Sequence, residues 1–415
     1  MIHRFLLSGS GFEKKELLQI ALYYRNYLQS DILKNWADKT ADSAYGGYLT
    51  CFDRKWNITG YDKGAWGQAR HIFTFSEAYR LFGKEKKWLY LAKTGIDFIK
   101  NRMYDGNGRL YYLVDRSGMQ IKEKTISIFS DAFFILGLSH YIFVTDNTAE
   151  LDLLKTVYVK FEENITNENF KDITPYMYEK SVLHHAVFMI ALNAVTTAST
   201  VLGTERCSSL IHYCLDKILN LFLDKERNCI VEKKMTDGTF CTGHNSRLVN
   251  VGHTYECLWF ILDAAKTLKN ADLLKTVCST ANSTEEHIKQ TSKPLIFSFA
   301  LDGKAEKNTT WKYEATFSPF DNVSWTYAES LCLFGYLAAL TKNDTYILRF
   351  KHIHNLVQNH FVDTEYGDWF HALDENFKVI KNFKGSVVKT AFHIPRALMK
   401  LITVFESTDL NTIFF

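Results

Sequence analysis

Apolar residues recur at three- and four-residue spacing along most of this chain, the period of a helix that buries one face. ELLQIALYYRNYLQSDI, ARHIFTFSEAYRLF, WLYLAKTGIDFIKNRM and SIFSDAFFILGLSHYIF carry the pattern first. LDLLKTVYVKFEEN, HHAVFMIALNAVTTAS, CSSLIHYCLDKILNLFL, HTYECLWFILDAAKTL and DLLKTVCSTANSTEEHI continue it. WTYAESLCLFGYLAAL, YILRFKHIHNLVQNHF and VKTAFHIPRALMKLITVF complete a set of about a dozen helices.

Short segments between helix pairs repeat as well. YLTCFDRKWN, RLYYLVDRSG, FSFALDGKA and WFHALDENF each place an apolar strand before an aspartate and a turn, with aspartates at 53, 115, 302 and 374. VEKKMTDGT, with Asp237, is a weaker copy, and one copy is missing between 115 and 237. Six units of roughly 70 residues would fill the chain, each a helix pair plus a hairpin. One pair cannot bury its apolar faces alone, so six pairs closed into a ring predict an all-α (α/α)6 barrel, a six-hairpin toroid with short β-hairpins between the pairs. An open solenoid is the alternative, but the last helix stays strongly apolar, without the polar cap an open end needs. With four prolines (175, 294, 319 and 395) and no low-complexity linker, residues 1–415 read as one domain.

Composition narrows the classes. Lys plus Arg (49) nearly balance Asp plus Glu (46), giving a net charge of +3, and no basic run interleaves with aromatics. Nucleic acid is therefore not an expected partner. Eight cysteines lie scattered without a CxxC pair, the usage of buried thiols in a reducing compartment. The start, MIHRFLLSGSGF, has too short an apolar run for a secretory signal. Apolar stretches of about ten residues fall short of the roughly 20 that cross a bilayer, so no membrane partner and a cytoplasmic location are expected.

Three segments gather ionisable and aromatic residues at helix starts. In YDKGAWGQARHIFTF, Trp66 and Arg70 are four apart and share a face, suited to stacking on a sugar ring and holding an oxygen; the plainer reading is a cation–π pair. In NVGHTYECLWF, His253 and Glu256 are three apart, so the carboxylate would orient the imidazole and raise its basicity. HxxE also fits a metal site, but no third ligand has convincing spacing, and no metal is expected. In VVKTAFHIPRALM, Pro395 marks a helix start, which puts His393 where the macrodipole would favour its neutral form; Lys389 and Arg396 flank it. A lone histidine before a proline is otherwise a local cap. Of the pair His184-His185, one reads as a core histidine, and His352, His354 and His360 read as surface residues of an amphipathic helix.

At these segments the chain resembles the N-acylglucosamine 2-epimerase (renin-binding protein) family and its cellobiose 2-epimerase relatives, from about Tyr45 to Met399. YGGYLTCFDR followed by DKGAWGQAR, then IFSDAF, AVFMIALNAV, NVGHTYECLWFIL, WTYAES, EYGDWF and KTAFHIPR stand in the family's order and spacing. The resemblance implies an (α/α)6 barrel that interconverts N-acetylglucosamine and N-acetylmannosamine, with His253 and His393 as acid and base. It puts the active-site arginine at Arg70 and the HxxE glutamate at Glu256, and it implies substrate-binding roles for Trp66, Trp325, Glu329, Trp369 and Lys389. It also implies homodimerisation and an ATP effector, although the sequence has no phosphate loop; no cofactor is required. Cellobiose 2-epimerases carry N-x-H-x-H-x-x-E-A where this chain has AVFMIALNA, which removes a third catalytic histidine and tilts the substrate toward N-acylhexosamines. Phe188 replaces a proline of the mammalian motif and Ala391 a cysteine.

The expected reaction is proton removal from C2 of the open-chain sugar by one histidine and return by the other to the opposite face. Arg70 would stabilise the enediolate and Glu256 would orient His253. Rival readings are an aldose–ketose isomerase or a 2-epimerase of mannose, glucose or cellobiose using the same bases, a glycoside hydrolase using Asp131, Glu256 or Glu329, and a non-catalytic binding protein.

Overall fold

The computed structural model describes residues 4–9, 13–120, 126–168, 170, 181–243, 246–303 and 317–407. Within them lie thirteen α-helices: α1 (Lys14–Tyr27), α2 (Leu33–Thr40), α3 (Ala65–Leu81), α4 (Lys86–Phe98), α5 (Ile128–Thr145), α6 (Leu151–Thr166) and α7 (His185–Leu202). The rest are α8 (Thr204–Asp216), α9 (Val251–Leu268), α10 (Asp272–Gln290), α11 (Ser324–Thr341), α12 (Asp344–Leu356) and α13 (His393–Glu406). A wide helical turn at Leu28–Ile32 joins α1 to α2, and similar turns end α4, α8 and α12 at Ile99–Met103, Lys217–Phe222 and Val357–Phe361.

Helices α3, α5, α7, α9, α11 and α13 pack each against the next, and α13 returns to α3, closing an inner ring. Each also packs on one outer partner: α3 on α4, α5 on α6, α7 on α8, α9 on α10, α11 on α12 and α13 on α1. This is an (α/α)6 barrel. The first outer helix covers the last inner one, so the ends of the chain lock the ring, and the strongly apolar last helix needs no cap.

The two shells show in the burial patterns. Outer helix α10 buries one stripe, Leu273, Val277, Thr280, Ala281, Thr284 and Ile288. Inner helix α11 buries every residue from Thr326 to Ala339, because neighbours surround it. Helices α5 and α7 correct the expectation from apolar run length. Each has 18 residues with a hydropathy of 1.5, long and apolar enough to cross a bilayer, yet 83% and 72% of them are buried inside the barrel. His354 is a second correction: it is fully buried, and its ring bonds Tyr24 Oη at 2.8 Å and Phe5 O at 2.6 Å.

Strands in the described residues are two or three residues long, and four of them lead directly into inner helices. Lys63–Gly64 leads into α3, Val182–His184 into α7, Leu248–Asn250 into α9 and Asn322–Val323 into α11, each paired antiparallel with a neighbouring segment. The aspartate turns recur at three of the four expected places, and the residues after Gly303 that would complete the turn at Asp302 lie outside the described stretches. Asp53, Asp115 and Asp374 each accept, on one oxygen, the backbone N–H groups two and four residues on. Asp105 makes the same turn with Asn107 and Arg109, a copy the strand pattern did not reveal. The missing copy would fall before α7, where residues 171–180 lie outside the described stretches.

Candidate active site

Because every inner helix starts at the same end of the barrel, first-turn residues converge there. Trp66, Phe129, Ala186, His253, Trp325 and His393, one from each inner helix, line one shared cavity. Arg70 lies one turn deeper, and Lys389, Thr390 and His371 close the rim.

His253 is held from two sides. Asn250 ends the strand before α9, and its side chain accepts the His253 backbone N–H at 3.1 Å. The imidazole Nδ1 lies 2.8 Å from Glu232 Oε2, so with Glu232 ionised it donates there and Nε2 carries the ring's basic lone pair. Burial pushes the Glu232 carboxyl up, but His253 and His185 outweigh burial and hold it well below the usual carboxylate range. Gly252 has a steric reason: a Cβ there would meet the indole of Trp325.

His393 opens α13, and its Nδ1 donates to Glu329 Oε1 at 2.6 Å. Glu329 is fully buried and also accepts from Trp259 Nε1 at 2.7 Å and Arg396 Nη2 at 2.6 Å. The same guanidinium nitrogen bonds Glu256. Glu256, Glu329 and His393 are spaced closely enough to hold a metal ion, but the Arg396 guanidinium already supplies the cation between the carboxylates. Burial, more than any other influence, drives the His393 pKa well below its ordinary value, reinforced by Arg70, Arg396 and His253 against Glu256. Desolvation, and not the helix dipole expected at the start of α13, is the main cause of that shift.

Trp325 packs beside both bases, its ring centroid 5.3 Å from that of His253 and 5.4 Å from that of His393. The imidazoles are thus no farther apart than the sum of those distances. Arg70 is anchored by Nη1 on Val388 O at 3.0 Å and lies over Phe133, 4.2 Å from its centroid. It also lies 5.9 Å from the centroid of Trp66, so the plainer cation–π reading and a place in the cavity hold together. Lys389 donates to Lys384 O at 2.6 Å, and burial lowers its pKa to about 8.

Three expectations are corrected. Glu256 does not orient His253: its carboxylate faces Arg396 and lies 3.7 Å from His393 Nδ1, while Glu232 takes the place expected of it. Glu329 does not line the cavity; it stands behind His393. Trp369 is core, 1% exposed and packed 6.1 Å from Phe361, away from the cavity lining. Glu232, Arg396, Trp259 and His371 are the contributors to this site that sequence reasoning missed or left in the background. Asp131, a candidate for the hydrolase reading, is buried against Arg109 outside the cavity lining.

A family model described as N-acylglucosamine 2-epimerase (GlcNAc 2-epimerase) matches residues 47–397. The chain is 22% identical over 403 residues to an N-acylglucosamine 2-epimerase of Rattus norvegicus, covering 93% of this chain and 92% of that one. It is 24% identical over 408 residues to a cellobiose 2-epimerase of Dictyoglomus turgidum, covering 91% and 96%. A solved structure of cellobiose 2-epimerase from Bacillus thermoamylovorans shares the fold with a TM-score of 0.80 at 21% identity, over 93% of this chain and 99% of that one.

Proposed function

Because this chain belongs to the N-acylglucosamine 2-epimerase family, we propose that it interconverts N-acetylglucosamine and N-acetylmannosamine by proton transfer at C2. The observation that carries this reading is the pair of imidazoles on one cavity, each with Nδ1 fixed on a carboxylate, which makes Nε2 the basic nitrogen of each ring.

In the open-chain sugar, the C1 carbonyl acidifies the C2 proton. One histidine Nε2 removes it and electrons move onto the carbonyl oxygen; the other imidazolium delivers a proton to the opposite face of the planar enediolate. Desolvation of the half-buried His393 ring favours its neutral form, which suits a base near neutral pH. Arg70 stabilises the anionic oxygen, a contribution worth about 3–4 kcal/mol when such a donor is removed. Six helix N-termini converging on the cavity add fixed positive potential for the same charge. Trp66 and Trp325 offer faces for the apolar side of the sugar, and Lys389 offers a donor at the rim. No cofactor enters this scheme.

The α7 wall of Ala186, Met189 and Ile190 supports the N-acyl substrate, since an acetyl methyl finds apolar surface there and no histidine faces it from that helix. The test is incubation in deuterated water with N-acetylmannosamine, N-acetylglucosamine, mannose and cellobiose separately, followed by NMR. Deuterium at C2 of the two N-acetyl sugars, with both epimers formed, is expected. A ketose product from mannose, or exchange confined to cellobiose, would replace this substrate, and exchange with none of the four would remove the epimerase reading.

A further inference from the structure

His185 is the first residue of α7, fully buried, and among the described residues neither of its ring nitrogens has a hydrogen-bond partner. Glu232 Oε1 is buried and unpartnered in the same way. These two orphaned groups face each other: His185 Nδ1 lies 3.7 Å from Glu232 Oε1, while Glu232 Oε2 holds His253 Nδ1 at 2.8 Å. A donor and an acceptor buried without partners each cost stability until they are paired. Closing the remaining gap takes a side-chain movement of under about 1 Å, to reach ordinary hydrogen-bond distance.

We propose that His185 is a positioning residue of the active site, whose Nδ1–H anchors the second oxygen of Glu232 and so fixes the imidazole of His253. The inference rests on the epimerase reading above. Its physical content is an asymmetry between the two bases. Behind His393, the carboxylate Glu329 is held by the cation Arg396 and the indole Trp259. Behind His253, the donor that faces the second oxygen of Glu232 is a neutral one, His185. A carboxylate held by a neutral donor keeps more of its charge for the imidazolium that forms when His253 takes the C2 proton. Anchoring both oxygens also stops the carboxylate rotating, which would let His253 turn away from the substrate. The charged and titratable groups acting on His185 are Glu232, His253 and Glu256, and its ring packs 5.7 Å from Phe222. As a plain core residue it would leave its Nδ1 and the facing Glu232 Oε1 both buried and unpaired.

The test compares wild type, His185→Leu and His185→Asn, whose amide restores a donor near the Nδ1 position. His185→Leu is expected to lower kcat roughly 10- to 100-fold, the usual effect of removing an outer partner of a functional imidazole. KM should change little, and the acid limb of the pH–rate profile should move. His185→Asn should recover most of kcat and the wild-type limb. Unchanged kcat and pH profile in folded His185→Leu would overturn the assignment, as would equal losses in the two variants at equal Tm. Should both variants fail to fold, 15N-histidine NMR of the wild type decides: the Nδ1–H tautomer of His185 is expected, and the Nε2–H tautomer overturns it. Wild type that epimerises no sugar would instead sink the function, leaving the tautomer measurement standing on its own.

Discussion

Lys63 and Lys384 occupy equivalent places in the first and last repeats: each ammonium bonds a carboxylate 21 residues earlier and a glycine carbonyl 17 residues earlier. For Lys63 these are Asp42 at 2.9 Å and Gly46 O at 2.6 Å; for Lys384 they are Asp363 at 2.8 Å and Gly367 O. An arginine completes each cluster, Arg116 on Asp42 and Arg54 on Asp363. Both lysines are fully buried. The device ties the loop after an outer helix to the chain entering the next inner segment, so it fastens the ring near its seam.

Removing either lysine should therefore destabilise the barrel without touching the cavity. Lys63→Met or Lys384→Met breaks a buried pair, which costs about 3–5 kcal/mol, with the low end expected because an arginine still faces each aspartate. Urea unfolding measures it. A loss under about 1 kcal/mol in either variant would mean that the arginine alone suffices.

Arg396 is expected to matter for both stability and rate. It is 2% exposed and lies between two buried carboxylates, Glu256 and Glu329. Arg396→Met leaves them facing each other without a cation, at a cost of about 3–5 kcal/mol. Adding Glu329→Gln removes one of the two charges and should restore part of the stability but none of the activity, since His393 loses its anionic acceptor. Denaturant midpoints and kcat for the single and double variants check this; full additivity in stability would show that the three groups do not act as a unit.

Buried histidines set the acid stability. Burial holds His71 and His354 at a pKa of about 4, against 6.5 when exposed. Between those values the unfolded chain binds protons that the folded chain refuses, so stability falls as pH drops through this window and is insensitive to these groups above it. About 2–3 kcal/mol per histidine is lost by pH 4.5. His185, His371 and His393 act in the same direction. Urea unfolding at pH 7, 5.5 and 4.5 should show the decline, and His354→Gln should flatten it. A stability that holds level across this range would contradict it.

Helices, ring and turns were legible because they depend on local patterns: apolar period, an aspartate before a turn, a proline after a helix start. The same holds for the first-turn placement of Trp66, His253, Trp325 and His393. Second partners were not legible, because they arrive from another repeat. Glu256 sits at the right spacing to serve His253, but its side chain faces α13, and the group that serves His253 comes from the segment beside the Lys233–Met235 strand. Glu329 and Trp369 look like pocket residues in sequence because they adjoin Trp325 and His371, which do line the cavity; one helical turn or one strand step buries them. The buried lysine clusters escaped for a simpler reason: a 21-residue spacing has no helical or strand period to reveal it.

The two-base scheme makes a complementary prediction about solvent exchange. If each histidine serves one face of the sugar, deleting one leaves the other able to remove the C2 proton of a single epimer and return a deuteron to the same face. Epimerisation then stops while exchange continues for that epimer. His253→Asn in deuterated water should exchange C2–H of one of N-acetylglucosamine and N-acetylmannosamine without forming its partner, and His393→Asn should exchange the other. Assignment of each epimer to its base follows directly from which variant exchanges which sugar. Asn removes the base at each site while keeping a polar side chain close in size, and Glu232 and Glu329 stay in place to be solvated or protonated. Exchange of both epimers by one variant would mean that a single histidine reaches both faces, and the opposed-base scheme would then give way to one in which the intermediate turns over within the cavity.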